Sequence, residues 1–141
     1  MRIAERPADR NRRGVAAIEL AVALPLLVLL LLGCVDVGRL TLRYICLSNA
    51  ASEAATFASL NAPGQFGGVS GWIAAVRQRA ISESALLSPP LTVAEILVDT
   101  SVLGDGLVSV QVESSFETIV SWPGLPQTWM MVRKVVLSQT A

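Results

Sequence analysis

Residue types able to do chemistry are sparse in this chain, and the most conspicuous one stands where it is least at home. Glu19 interrupts an apolar run that starts at Val15, directly after Arg12-Arg13-Gly14, and sixteen uncharged residues follow it at positions 20–35. A lone acid in a bilayer core costs about 2.5 to 3.5 kcal/mol on insertion scales, so one kept there has a partner or a job. The other candidates exclude more than they offer. There is no histidine, and with only two cysteines the usual general base and the usual zinc ligands are missing together. Cys34 and Cys46 lie twelve residues apart. On one helix that is about 18 Å at ~1.5 Å per residue, too far for a bridge between them. They read as small buried apolar residues, with a bridge between copies through Cys46 as the lesser reading. Serines, threonines and acids show no nucleophile-base spacing, and Gly104-Asp105-Gly106 is too short and too acidic for a phosphate loop. The sequence points away from an enzyme, a metal centre and a bound cofactor.

The composition says where such a chain lives. With 141 residues, 52% of them hydrophobic, and a mean hydropathy of +0.57, it is too apolar for an ordinary soluble domain and reads as a small membrane-associated protein. Its formal charge of zero hides an asymmetry. Residues 1–14 carry five arginines, at 2, 6, 10, 12 and 13, against Glu5 and Asp9, while the remainder is acidic by the same margin. A basic nucleic-acid surface is therefore not expected.

The elements that must position Glu19 follow from the apolar pattern. Residues 15–35 span roughly 30 Å as a helix, the thickness of a hydrocarbon core, which predicts one transmembrane helix. The arginines before it outnumber Arg39 and Arg43 after it, so the N-terminus is expected in the cytoplasm and everything from about residue 40 in the periplasm or outside. Pro25 removes one helical hydrogen bond and is expected to kink the span. No breaker appears until Asn61-Ala62-Pro63-Gly64, which extends the helix over 15–60. In its outer half Ala50, Ala51, Ala54, Ala55 and Ala58 form a small-residue stripe continued upward by Leu40, Tyr44 and Leu47, and Asp36 can pair with Arg39. Such a stripe lets another backbone approach closely, so the helix reads as a packing stalk.

A linker at 61–71 leads to a helix over about 72–87, carried by Trp72, Ile73, Val76, Ala80 and Ile81 and ended by Ser88-Pro89-Pro90. Alternation then predicts strands over 92–100 and 107–118 with a turn at 103–106, and a third strand over 129–139 after the loop Trp122-Pro123-Gly124-Leu125-Pro126. Trp122 and Trp129 are expected to pack in the core. The fold class is α+β: a long N-terminal transmembrane and stalk helix, then a small exported domain at 72–141 with one helix and a three-stranded antiparallel sheet.

These residues together resemble the TadE-like family, minor pilins or pseudopilins of the tight-adherence (Flp) branch of the type IV pilus and type II secretion machinery. The resemblance is carried by Arg13-Gly14 with Glu19, by Ala23-Leu24-Pro25-Leu26-Leu27, by Asp36-Val37-Gly38-Arg39, and by Asn49-Ala50-Ala51 with Ala54 and Ala55. It covers about the first 60 residues; the rest matches only in outline, and Ser52 and Thr56 stand where members often carry basic residues. The fold it implies is pilin-like. It also implies that a membrane aspartyl prepilin peptidase cuts the basic leader 1–14 after Gly14, making Val15 the new N-terminus. The freed amine of one subunit would then pair with Glu19 of another, with Asn49, Ala50, Ala51, Ala54 and Ala55 packing the stalk. Other pilins or pseudopilins, the tight-adherence assembly platform and membrane lipid are the implied partners, in the inner membrane and in the pilus.

Two other readings compete. Leu31-Leu32-Gly33-Cys34 looks like a lipobox, which would make the protein a lipoprotein anchored through Cys34, although Glu19 would break the signal's apolar region and Leu32 is large for its position. A generic single-pass anchor with an exported binding domain explains the hydropathy and leaves Glu19 without a purpose. A secretory signal peptide fits poorly, because the apolar run exceeds the ~7 to 15 residues of such regions.

Overall fold

The computed structural model describes residues 8–140, with side chains from Gly14 onward. Residues 1–7 of the expected leader, Arg2 and Arg6 among them, lie outside the described residues. Helix α1 runs Ala8–Leu60, 53 residues and about 80 Å at ~1.5 Å per residue. It passes through the Gly14-Val15 bond and through Pro25 without interruption. The residues around Gly14 are good helix formers, and one glycine costs a helix only about 1 kcal/mol. The expected leader boundary is thus not a boundary of secondary structure.

Two halves of α1 have different surroundings. From Gly14 to Leu31 every residue is exposed, and α1 is the one described helix long and apolar enough to cross a membrane. From Asp36 onward one face is buried: Asp36, Cys46, Leu47, Ala50, Ala51, Ala54, Ala55 and Ala58. Their three- and four-residue spacing makes one stripe. Helix α2, Val69–Glu83, lays Trp72, Val76 and Ala80 against it. The connection holds a short 3-10 turn, Pro63–Phe66, closed by Gly67 at φ 73°. Gly71 lacks a side chain for a steric reason, because a Cβ there would run into the Phe66 carbonyl. Trp72 fixes the corner by donating its indole N–H to the Asn61 carbonyl at 2.7 Å.

Strands β1 (Ile96–Asp99), β2 (Leu107–Glu117) and β3 (Thr128–Ser138) form one antiparallel sheet in the order β1-β2-β3. In register, Ile96 faces Val112, Val110 faces Val135 and Phe116 faces Trp129. Val108, Val110 and Val112 point inward and complete the core over the alanine stripe. The expected α+β class, with its long apolar helix, second helix and three-stranded antiparallel sheet, is borne out.

Boundaries differ where side chains bond locally to the backbone. Helix α2 begins three residues before Trp72 and stops at Glu83, where Ser84 donates its N–H to Ala80 and Ile81 and its hydroxyl to Ile81. Strand β1 loses its expected first residues to a 3-10 turn, Val93–Glu95, because Thr92 and Glu95 form a capping box. The β1-β2 connection contains a 3-10 turn, Leu103–Asp105, ended by Gly106 at φ 69°, instead of a tight hairpin. Asp99 secures its start, accepting from the Ser101 hydroxyl at 2.6 Å and N–H at 3.0 Å, which lowers the carboxyl's pKa. The tryptophan expectation needs correcting. Trp72 fills the core, whereas Trp122 is half-buried on α1 and Trp129 is exposed near the open edge of the sheet.

Candidate functional site

The residues singled out by the sequence fall into two groups on α1, and the structure treats them differently. Gly14, Val15, Glu19 and Pro25 lie on the bare half. Val15 and Glu19 are four residues apart, hence one turn apart on one face. Both are exposed, and among the described residues none pairs with the Glu19 carboxylate. Gly14 has open space around it, with no atom near the position of a Cβ.

The stalk residues form the other group. Ala50, Ala51, Ala54 and Ala55 are fully buried, and what approaches them is the chain's own α2 and sheet. Their smallness serves the intramolecular core, so as a face for a neighbouring stalk they are already occupied. Asn49 alone of the set is exposed. Tyr44 does not continue the stripe either; Cys46 and Leu47 do, one turn before Ala50 and Ala51. Burial of Cys46 also closes the route to a bridge between copies, while Cys34 is exposed in unbroken helix.

One cluster was only partly legible in the sequence. Asp36, the first acid after the apolar run, is 5% exposed. Its expected partner Arg39 is present at 3.4 Å, but better bonds arrive from the β2-β3 loop. Oδ1 accepts from the Ile119 N–H at 2.9 Å, while Oδ2 accepts from the Trp122 indole N–H at 3.2 Å and the Val120 N–H at 3.4 Å. The Ile119 N–H is the largest influence holding this carboxyl below the usual carboxylate value; Trp122, Val120 and Arg39 act the same way, against partial desolvation. The Trp122 ring rests on α1 at Gly33, where a Cβ would stand 3.3 Å from it. Above this point the Arg43 guanidinium donates to the Ser114 hydroxyl at 2.9 and 3.1 Å and to the Ser88 carbonyl at 3.3 Å, and Arg39 lies 5.5 Å over the Phe116 ring. The arrangement joins the end of the sheet to the helix where the apolar run stops. No metal-ligand cluster occurs among the described residues.

The model of the TadE-like protein family matches residues 14–56. The matched part of α1 is similar to that family. The match starts at Gly14, covers Glu19, Pro25, Asp36 and the alanine stripe through Ala55, and bears out the resemblance drawn from those residues. The matched segment is thus similar to a family associated with tight-adherence pili. No curated protein and no solved structure matches the chain. Sheet and loop therefore stand on their own geometry.

Proposed function

We propose that this protein is a TadE-like, non-enzymatic minor pilin or pseudopilin of a Flp-type pilus or a related secretion apparatus. Prepilin peptidase cuts after Gly14, in the inner membrane, with the N-terminus cytoplasmic and the sheet domain periplasmic or extracellular. Glu19 of one subunit then pairs with the Val15 amine of the next, neutralising two charges that each disfavour lipid. A buried polar pair of this kind sets register, as single polar residues do in coiled coils. Other pilins or pseudopilins and the assembly platform receive the subunit through the same helix.

The observation that carries this reading is the division of α1. Its outer half is consumed by the protein's own core, while its inner half offers an unpacked apolar surface broken only by Glu19. Lipid can cover that surface before assembly and neighbouring helices afterwards. Mass spectrometry of the mature N-terminus, on membranes and on sheared filaments, tests it: a free or methylated Val15 is expected. A chain still starting at Met1 in cells with an active peptidase, or a diacylglyceryl Cys34, would contradict it. Gly14→Ala should leave an unshifted precursor band. Glu19→Ala should be cleaved normally yet fail to enter sheared material, and normal incorporation would refute the pairing.

A further inference from the structure

We propose that the β2-β3 loop, residues 118–127, together with the first residues of β3, is a second membrane-contacting element that beds in the headgroup and upper acyl layer beside α1. The inference rests on reading residues 15–35 as a bilayer span. Three observations converge on it. Depth comes first, because Trp122 touches α1 at Gly33, inside the apolar run, and Asp36 fixes Ile119, Val120 and Trp122 at the last turn of that run. Any bilayer that covers α1 up to Val35 meets this loop.

Composition is the second. From 118 to 132 fifteen consecutive residues carry no charge, and charges resume at Arg133 and Lys134 farther along β3. Within it Ile119 is 55% exposed, Leu125 56%, Trp129 40% and Met130 68%. These side chains are exposed, as are Val35 and Val37 on α1, next to Asp36 where the loop is fastened. Tryptophan at the edge of such a patch suits the water-lipid boundary, where its ring is buried and its N–H bonded.

Order is the third. The Thr118 N–H bonds to the Gln127 carbonyl at 3.0 Å and closes the neck of the loop. Pro123-Gly124 forms its tip as a turn, with Gly124 at φ 83° and the Leu125 N–H donated to the Trp122 carbonyl at 3.1 Å. The turn's backbone is thereby partly satisfied before it meets lipid, which lowers the cost of bringing an irregular segment into a poorly hydrated layer. The occupant is lipid, by continuity with the surface that the span already occupies.

The test uses the full chain in vesicles of phosphatidylethanolamine and phosphatidylglycerol, on a Cys34→Ser background that keeps the buried Cys46. An environment-sensitive nitrobenzoxadiazole label is placed at Leu125→Cys, at Val28→Cys in mid-span and at Asp105→Cys beyond the far end of β2, and quenching by nitroxide acyl chains is read. Quenching several-fold stronger at residue 125 than at residue 105, beside a quenched residue 28, is the expected result. A quenched residue 28 with residue 125 no better quenched than residue 105 overturns the loop's lipid contact and leaves the span standing. A blue-shifted but unquenched residue 125 assigns the patch to a protein neighbour and also overturns it. If residue 28 escapes quenching too, the spanning reading itself falls and the proposal with it.

Discussion

Two acids flank the apolar run of α1 and meet opposite fates. Glu19 is exposed with no partner among the described residues, whereas Asp36 is sunk beneath a loop and bonded by two backbone N–H groups and an indole. An acceptor removed from such a site leaves its donors unpaired, which is the expensive way to lose a hydrogen bond. Asp36→Ala should therefore speed amide exchange at Ile119 and Val120 without touching Val110 or Val112 in mid-sheet; unchanged exchange would show that the loop holds without the acid. The pH dependence has a definite sign. Because the folded carboxyl titrates below its unfolded value of about 3.9, its contribution is complete above that value and disappears as pH falls through the lower folded one. The acid limb of a melting-temperature profile should flatten in Asp36→Ala, measured by circular dichroism in detergent. Glu19 was legible in the sequence because a charge in an apolar run is a local anomaly. Asp36 was legible only as an i,i+3 partner of Arg39, since its main partners stand more than eighty positions away and no spacing rule reaches that far.

At the scale of elements, the alanine stripe is the joint between α1 and the rest of the fold. Fully buried Ala54 has no room for a larger side chain, so Ala54→Leu should destabilise by about 1 to 3 kcal/mol through overpacking. Trp72→Ala should cost about 3 to 5 kcal/mol, losing the largest core side chain and its bond to Asn61. Thermal melts of the two variants check both figures, and a melt for Ala54→Leu within error of the parent would mean the stripe is loosely packed. The stripe itself was plain from its three- and four-residue spacing. What covers it was not, because small residues admit a neighbour's helix and the chain's own with equal ease, and only the return of α2 through a short linker decides between them. Strand alternation in β2 and β3 was plain as well. The start of β1 and the end of α2 escaped notice because Thr92, Glu95 and Ser84 redirect the backbone through side-chain bonds that periodicity does not register. Trp122 and Trp129 misled for a related reason: aromatic residues serve cores and boundaries alike, and Trp72 had already taken the interior place.

For the whole molecule, the core cannot be separated from the outer half of α1. A truncated chain starting at Asp36 should fold, keeping every buried helix residue, whereas one starting at Asn61 should not, having lost a wall of its core. Two-dimensional amide spectra of both fragments would decide, and a dispersed spectrum from the shorter one would disprove the dependence. The same continuity has a mechanical side. No linker separates the exposed apolar rod from the part carrying the sheet, since α1 runs unbroken from Ala8 to Leu60. Any axial shift of the foot of this rod by one helical pitch, about 5.4 Å, would shift the tryptophan clasp at Gly33 by the same amount. The molecule is a piston whose collar moves with its shaft, so in the proposed pilin role both would leave the bilayer in a single stroke.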